Sequence, residues 1–503
     1  MKNFKIYYTS DTHGYIFPTN YATGENEAKS LISLGQQFNK DENTLVIDGG
    51  DTISGSPFTL YLKDKEITDI HPISYLINSA QYDYITLGNH DFNFGVNTLN
   101  TYLKNNNAKC ICANVSGDIK TLEYDIVTLK NGLKIGITGI VTDHVNIWES
   151  NENLKGIHIS EPLKACASAL NKFKNDVDIT ICIYHGGFEG DISTGEILTT
   201  STENIGLKIC NTLNFDILLT GHQHNAIQGS YVNNTYVVQP SAYAAHAICI
   251  EGIVNEHKKT FKSYFIQSRN FYNETEKSVN ILKEIDNKVW DWLNTKVGTL
   301  EKPLVTSTHL SMALNGSDIA TLINQVQLWA TNADISVTSL ANDIYGFKKD
   351  VTIQQILANY PYINNLRVLL IAGAQLKQVI EKSLTYFNVE NGNVQISKSF
   401  LKPKVEHYNY DYYEGIQFTA NLLNPPYNRV VCITKNGNVV SDTCKFTICV
   451  SSYRAQGAGN YTTYKSLPII KEIQTELTEL IYNYISQNKN IVIKNSNVNK
   501  FIY

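Results

Sequence analysis

The segment from Phe4 to Gly14 reads FKIYYTSDTHG, an apolar run rich in β-branched and aromatic residues that ends in a polar turn. Its first seven residues predict a buried strand, because such side chains favour extended backbone. The turn carries Asp11 and His13, and Gly14 permits a tight bend there. A strand that delivers a carboxylate and an imidazole to one loop is typical of an α/β fold whose ligands bind beyond the strand ends.

Four further segments repeat this design, each with an apolar run before a short polar motif. The motifs are G-G-D-T at 49–52, G-N-H-D at 88–91, Y-H-G-G at 184–187 and G-H-Q-H at 221–224. The intervening stretches near 25–39, 96–106, 160–175 and 202–213 have helical character. This alternation predicts a layered α/β architecture in which all five motifs occupy strand ends.

The polar residues of the five motifs are candidate metal ligands. They are Asp11, His13, Asp51, Asn89, His185, His222 and His224. Carboxylate and amide oxygens mixed with imidazole nitrogens suit two divalent cations, with Mn, Zn, Fe, Ni and Co all compatible. One such motif alone is weak, but five in one chain predict a dinuclear centre, a recurring device for hydrolysing phosphate esters.

The 503 residues exceed what one hydrophobic core accommodates, and they predict two or three domains. Apolar residues from Val279 to Leu293 recur at the spacing of an amphipathic helix. We therefore predict a metal-site domain over 1–273, a connecting helical segment over 274–299 and a second α/β domain over 300–503.

The amino-acid composition limits the classes of partner and the compartment that we expect for this protein. The net charge of −5 argues against a nucleic-acid polymer, which favours a basic face. No apolar run reaches the roughly 20 residues of a membrane span, so no membrane partner is expected. The first strand leaves no room for a removable leader, and nine scattered cysteines form no C-x-x-C pair, which together predict a cytoplasmic protein. The oligomeric state stays open.

The five motifs together resemble the calcineurin-like metallophosphoesterases, specifically the 5′-nucleotidase superfamily. The resemblance implies a four-layer αββα catalytic domain and an α/β C-terminal substrate domain joined to it by a helix. It also implies two ligand sets. Asp11, His13, Asp51 and His224 would hold one metal, and Asp51, Asn89, His185 and His222 would hold the other.

The same resemblance implies catalytic roles around Asn89. His90 matches the family's catalytic histidine, which stabilises the phosphoryl transition state or assists the leaving group. The nucleophile would be a water or hydroxide activated by the metals. Asp91 stands where the family often has Glu, and two interpretations stay open: it orients His90, or it is a capping carboxylate.

Two tyrosine-containing segments of the second half resemble the family's base-binding segments. They are Asn359-Tyr-Pro-Tyr-Ile-Asn-Asn-Leu and Ser451-Ser-Tyr-Arg-Ala-Gln-Gly-Ala-Gly-Asn-Tyr. By position, Tyr362 and Tyr453 would sandwich a nucleobase, since every base presents a π-face to an aromatic ring. Asn364 and Arg454 are the neighbouring substrate-binding candidates.

Details of these segments favour one branch of the superfamily. Residues 341–349 lack the arginine of the 5′-nucleotidase N-x-G-G-x-R element, and G-N-H-D-F-N-F-G is similar to the G-N-H-E-F-N-Y-G of 2′,3′-cyclic-nucleotide 2′-phosphodiesterase/3′-nucleotidases. Ala458 departs from that branch's three glycines. We therefore expect hydrolysis of 2′,3′-cyclic nucleotides, or of 3′- or 5′-mononucleotides. The alternatives are a 5′-nucleotidase or nucleotide-sugar hydrolase and, more remotely, a catalytically degenerate nucleotide-binding protein.

Overall fold

The computed structural model divides the chain into two compact units, Met1–Trp290 (unit 1) and Asp291–Tyr503 (unit 2). It describes all residues except 64, 66–69, 198–201, 257, 363, 403, 474, 489–490 and 494–498. The boundary falls inside the predicted connecting segment 274–299, within one helix. Across the described residues, no helix is both long and apolar enough to cross a membrane.

Unit 1 alternates strands and helices along most of its length. Its strands are β1 (Lys2–Thr9), β2 (Thr44–Asp48), β3 (Tyr84–Ile85), β4 (Lys109–Cys110), β5 (Val115–Gly117), β6 (Tyr124–Thr128), β7 (Lys134–Val141), β8 (Ile157–Ile159), β9 (Ile179–His185), β10 (Ile217–Thr220), β11 (Ile227–Val232), β12 (Thr235–Gln239), β13 (His246–Val254) and β14 (Lys259–Gln267). Its helices are α1 (Leu31–Gly35), α2 (Pro57–Lys63), α3 (Pro72–Ser79), α4 (Gly95–Lys104), α5 (Val145–Trp148), α6 (Pro162–Phe173), α7 (Gly206–Thr212) and α8 (Lys277–Leu293), the last of which crosses the unit boundary.

Two six-stranded sheets form the centre of unit 1, in the orders β14-β13-β1-β2-β3-β4 and β11-β12-β10-β9-β7-β6. Their facing side chains make one buried cluster that includes Ile6, Ile47, Ile183 and Leu219. Because successive side chains of a strand point to opposite faces, Tyr7 faces away from this cluster and stacks on Phe38, which follows α1.

Helices cover the outer face of the second sheet. Phe173 of α6 and Ile209 of α7 pack with Cys182 and Tyr184, the β9 residues that point away from the shared core. The predicted α/β class and layered arrangement of sheets and helices are confirmed. The predicted helix over 25–39 is shorter, since Ser30 caps a helix confined to Leu31–Gly35 and a turn closed by Asn20 and Glu25 precedes it.

Unit 2 is also a mixed α/β structure. Its strands are β15 (Lys296–Thr299), β16 (Ile335–Thr338), β17 (Asp350–Thr352), β18 (Leu366–Ala372), β19 (Phe387–Glu390), β20 (Asn393–Ile396), β21 (Tyr412–Glu414), β22 (Gln417–Asn421), β23 (Val430–Lys435), β24 (Asn438–Val439), β25 (Lys445–Ser451), β26 (Ile469–Ile473) and β27 (Lys500–Ile502). Its helices are α9 (His309–Asn315), α10 (Asp318–Thr331), α11 (Ile353–Asn359), α12 (Gly373–Leu384), α13 (Ser452–Ala455), α14 (Thr462–Lys465) and α15 (Leu477–Gln487).

The main sheet of unit 2 has the order β21-β16-β25-β18-β26. The register of β18 and β25 places Leu366 opposite Ser451. The start of β18 and the end of β25 therefore lie side by side at the same end of the sheet, which brings the two tyrosine-containing segments together.

Candidate metal centre and substrate segments

The strand register of unit 1 brings the five motifs to one place. In the first sheet, Thr9 lies opposite Asp48 and Asp48 opposite Ile85, so the parallel strands β1, β2 and β3 end together. In the second sheet, Tyr184 lies opposite Thr220, which aligns the ends of β9 and β10. Each motif lies at or directly after one of these ends, as the sequence predicts.

Asp11, His13 and His224 form the first cluster of potential ligand atoms. The Nε2 atoms of His13 and His224 are 3.1 Å apart, and His224 Nε2 lies 3.5 Å from Asp11 Oδ1. His13 Nδ1 lies 3.0 Å from the Ser54 carbonyl, which can only accept. His13 Nδ1 therefore carries the proton, and the Nε2 lone pair faces the cluster.

Asp11, Asp51 and His185 form the second cluster. His185 Nε2 lies 3.2 Å from Asp51 Oδ2 and 3.9 Å from Asp11 Oδ1. Beside this cluster, Asn89 Oδ1 and His222 Nδ1 are 2.8 Å apart. Asp11 belongs to both clusters, and Asp51 also reaches His13 Nε2 at 3.9 Å.

The donor set fits divalent cations. His185 Nδ1 lies 2.7 Å from the Gly49 carbonyl, so its Nε2, which is buried without a hydrogen-bond partner, is directed at the Asp51 carboxylate. Burial would lower the pKa of His185, but Asp51 and Asp11 raise it to about 10. Burial would raise the pKa of both carboxyls, but the imidazoles, His185 first, hold the pKa of each below its ordinary value. A bound cation would take the place of the proton, as metal binding to imidazole requires.

Backbone strain is concentrated at this site. Five of the seven candidate ligands have φ between 50° and 69°, in the left-handed region that residues other than glycine rarely adopt: Asp11, His13, Asp51, His222 and His224. Gly88 is required for a different reason, since a Cβ atom there would collide with the Asp51 side chain and backbone. The side chains converge only because the surrounding structure holds these conformations.

His90 and Asp91 lie in a 3₁₀ turn, Asn89–Phe92. The His90 N–H donates to Asp51 Oδ1 at 2.7 Å, and the His90 ring lies against that of His13 with centroids 5.4 Å apart. The buried Asp91 carboxylate accepts from the backbone N–H groups of Gly88, Asp51, Thr52 and Ile53 at 2.8–3.1 Å. Burial, followed by the charge of Asp51, raises the pKa of Asp91. These contacts make Asp91 a brace of the Asp51 loop, and its catalytic role stays a prediction.

Sequence reasoning did not single out three side chains that contact the site. Asn93 Oδ1 lies 2.8 Å from His90 Nδ1, Glu203 Oε1 lies 2.8 Å from His222 Nε2, and the Trp148 ring stacks on the His222 ring. Asn93 is within the quoted motif G-N-H-D-F-N-F-G, so its spacing from His90 was the available signal. Glu203 and Trp148 carry no comparable signal, because they come from a loop and from the end of α5, both outside the five motifs.

In unit 2 the two tyrosine-containing segments lie side by side. The Ser452 N–H donates to the Asn365 carbonyl at 2.8 Å, and the Ser452 hydroxyl is 3.5 Å from Asn364 Oδ1. Tyr453 is 38% exposed, and Tyr362 makes an edge contact with Tyr408. Ile363 lies outside the described residues. The base-binding roles of Tyr362, Asn364 and Tyr453 stay predictions.

Arg454 lies inside the fold. Its guanidinium donates to Asp411 Oδ1 through Nε and Nη2, to Asn409 and Ala458 through Nη1 and to the Tyr408 carbonyl through Nη2. The residue is 4% exposed and packs under the Tyr461 ring. Arg454 thus fixes the loop that carries Tyr453. Direct contact with a substrate, which would require one of these bonds to break, stays a prediction.

The fold and the clustered ligands together define a metallophosphoesterase. The sequence model of the calcineurin-like phosphoesterases matches residues 4–226, and that of the 5′-nucleotidase C-terminal domain matches residues 296–466. The chain belongs to the 5′-nucleotidase superfamily of calcineurin-like metallophosphoesterases. The predicted family and the predicted enzyme class, a metal-dependent phosphoesterase, are confirmed.

Similar proteins cover nearly the whole chain. A trifunctional nucleotide phosphoesterase of Bacillus subtilis is 23% identical over 97% of this chain, which spans only 38% of that protein. A 2′,3′-cyclic-nucleotide 2′-phosphodiesterase/3′-nucleotidase of Salmonella typhimurium is 23% identical over 90% of this chain and 81% of its own length. A solved Staphylococcus aureus structure, provisionally named a 5′-nucleotidase, is 29% identical with a TM-score of 0.89 and covers all of both chains.

Proposed function

We propose that this protein hydrolyses the phosphoester bonds of small nucleotides at two divalent metal ions. The substrates are 2′,3′-cyclic nucleotides and 3′- or 5′-mononucleotides. The observation that carries the proposal is the convergence of ligand atoms from four strand ends into two clusters that share the buried Asp11 carboxylate, with Asn89 from a fifth strand end beside them. Two adjacent cations suit a phosphoester because they neutralise its charge and orient both attacking and leaving oxygens.

The ligand sets follow the family pattern, which makes Asp51 the shared ligand, whereas the two clusters themselves share Asp11. Asp11, His13, Asp51 and His224 hold one ion, and Asp51, Asn89, His185 and His222 hold the other. When bound, the ions supply an activated water and withdraw charge from the phosphoryl oxygens. Mn, Zn, Fe, Ni and Co all suit this mixture of oxygen and nitrogen donors.

The chain's own residues orient the reaction. Asp91 fixes the loop of Asp51 through three of its backbone N–H groups and accepts a fourth from Gly88 in its own turn. The His90 N–H fixes Asp51 Oδ1. The His90 imidazole acts on the phosphoryl group or the leaving oxygen. In unit 2, Tyr362 and Tyr453 stack on the base, with Asn364 beside them and Arg454 beneath the loop of Tyr453.

A phosphate-release screen tests this function. The full chain, loaded separately with Mn, Zn, Fe, Ni and Co, would be assayed with 2′,3′-cyclic nucleotides and with 2′-, 3′- and 5′-mononucleotides. We expect ring opening of cyclic nucleotides to 3′-nucleotides, measured by chromatography, and phosphate release from 3′-nucleotides, as the name of the Salmonella relative describes for that protein. A preference for 5′-monophosphates would favour the second candidate, a 5′-nucleotidase, which the similarity to the Staphylococcus structure supports. Neither ring opening nor phosphate release with any metal would contradict both.

Glu203 is expected to support metal binding through His222. Its Oε1 accepts from His222 Nε2, which leaves Nδ1 free for a metal beside Asn89. Carboxylate partners of this kind typically contribute 10–100-fold to metal affinity, so we expect Glu203→Gln to weaken binding of one ion by about 10-fold or more. Competition with a chelator measures the affinity, and Glu284→Gln on the exposed face of α8 is the control. Equal affinities in both variants would contradict this support.

Tyr453 is expected to bind the base rather than take part in the chemistry. Because base–aromatic stacking contributes about 1–3 kcal/mol, Tyr453→Ala should raise KM about 5-fold to 150-fold with little change in kcat. Tyr453→Phe should retain the wild-type KM. Tyr427→Ala, at a tyrosine that is 65% exposed, is the control. An unchanged KM in Tyr453→Ala would remove Tyr453 from the substrate site.

A further inference from the structure

A chain of hydrogen bonds leads away from the His90 ring. Asn93 Oδ1 lies 2.8 Å from His90 Nδ1, and Asn93 Nδ2 donates to Glu149 Oε2 at 2.7 Å. We propose that Glu149 is a positioning residue that sets the tautomer of His90 by fixing the orientation of the Asn93 amide. The expected effect of Glu149 on kcat rests on the proposed function, whereas its effect on the His90 tautomer does not.

The argument depends on what each group can donate or accept. The two ends of an asparagine amide are similar in shape, so hydrogen-bond partners decide which end is the oxygen. An ionised carboxylate can only accept, so the end of Asn93 that faces Glu149 must be the NH₂ group. The amide oxygen is then turned to His90, and His90 Nδ1 must carry a proton to meet it. Nε2 is then the ring nitrogen that keeps its lone pair.

Glu149 is itself held in place. The Ser150 N–H and the Asn153 Nδ2 both donate to Glu149 Oε1, at 2.6 Å and 2.9 Å. Asn153 Nδ2 also donates to the Asn93 carbonyl at 2.8 Å. Oε2 is thereby aimed at the Asn93 amide, and Asn153 ties the backbone of Asn93 to the same group.

Neighbouring contacts strengthen this assignment. The Ser54 hydroxyl donates to Asn93 Oδ1 at 3.0 Å, while the Ser54 carbonyl accepts from His13 Nδ1. Trp148, the residue before Glu149, stacks on His222 with centroids 5.5 Å apart. The end of α5 therefore contacts a candidate metal ligand through Trp148 and the support of His90 through Glu149.

The arrangement predicts a specific exchange of partners. In Asn93→Asp, two carboxylates would face each other where an amide and a carboxylate now meet, and their repulsion would displace the group that supports His90. Adding Glu149→Gln restores a donor, because the new amide can present its NH₂ group to the carboxylate introduced at position 93. That carboxylate can then accept from His90 as the Asn93 amide oxygen does in the wild type. If Glu149 only filled space, Glu149→Gln would not compensate for Asn93→Asp.

The first test reads the His90 tautomer without reference to activity. The full chain, labelled with ¹⁵N-histidine and purified with zinc, would be examined by long-range ¹H–¹⁵N NMR, with His90→Ala to assign the signals. We expect a proton on Nδ1 of His90 in the wild type and a mixture of tautomers in Glu149→Ala. A wild-type ring without a proton on Nδ1, or an identical ring state in Glu149→Ala, would overturn the proposal.

The second test compares kcat, KM and metal content across four variants, with Glu152→Gln in the same loop as the control. Because one hydrogen bond contributes roughly a factor of ten, we expect kcat to fall about 10-fold in Glu149→Ala and about 3-fold in Glu149→Gln. We expect a loss of about 100-fold in Asn93→Asp, of which the Asn93→Asp/Glu149→Gln double variant recovers about 10-fold or more. KM and metal content should stay at wild-type values throughout.

The outcomes separate the two proposals. A wild-type protein that hydrolyses no phosphoester would contradict the proposed function, while the NMR result would still decide the role of Glu149. An active wild type whose double variant is no faster than Asn93→Asp would overturn the positioning role alone. Loss of metal in Glu149→Ala would also overturn it, because it would assign Glu149 to the metal centre.

Discussion

Asp51→Asn is expected to lose bound metal and to lower kcat/KM on the order of 10³-fold, since charge stabilisation by metals amounts to several kcal/mol. The physical reason lies in the orientation of the new amide. The His90 N–H holds Asp51 Oδ1 at 2.7 Å and would retain the amide oxygen in that position. The NH₂ group would then face His185 Nε2, where Asp51 Oδ2 now lies 3.2 Å away. Protons would thus occupy the space in which a cation is proposed.

The measurement combines metal analysis by mass spectrometry with kcat/KM for a cyclic nucleotide. Asp176→Asn, at an exposed carboxyl between α6 and β9, is the matched control and should behave as the wild type. Full metal occupancy together with near-normal turnover in Asp51→Asn would exclude Asp51 from both proposed ligand sets.

His90→Ala is expected to retain its metals and to lower kcat about 10²-fold to 10⁴-fold, the range that positioned proton-transfer groups contribute. His90 belongs to neither cluster of ligand atoms, and its contact with Asp51 is made by the backbone N–H, which alanine keeps. The substitution therefore removes the imidazole and leaves the support of Asp51 intact.

Steady-state kinetics and metal content of the same preparation check this expectation. His158→Ala replaces an exposed histidine of β8 and serves as the control. A full rate in His90→Ala would remove the proposed catalytic role, whereas loss of metal would show that His90 contributes to the metal centre.

The fold of unit 1 was predictable because its signals are local. Apolar runs such as Phe4–Ser10 encode strands by composition, and polar motifs directly after them mark the strand ends. The short length of α1 was not predictable, since it depends on the turn at Asn20 and on the cap at Ser30. Local turns and caps of that kind leave no periodic trace in the sequence.

The candidate ligands were predictable for the same reason, but the side chains around them were not. Glu203 and Glu149 lie in irregular loops, and only the folded structure brings them to His222 and Asn93. Arg454 is a residue whose motif was recognised in the sequence but whose environment was not. Its position in the motif suggests an exposed cation, but its carboxylate partner Asp411 comes from another segment and the pair is buried.

Five candidate ligands have a left-handed backbone conformation that the rest of the domain must stabilise. Metal affinity therefore depends on the packing of the whole domain. Each such residue costs on the order of 1 kcal/mol, so the five together cost roughly 5 kcal/mol, a sum comparable with the net stability of many domains. The packing between the two sheets, and not the loops themselves, supplies the stabilisation that offsets this cost. A cavity-forming substitution between the sheets at the other end of the strands, such as Ile135→Ala opposite the start of β9, should let these loops relax and weaken metal binding before the domain unfolds. Variants that never touch the centre can therefore resemble ligand mutants, and the two are told apart by whether adding metal restores activity.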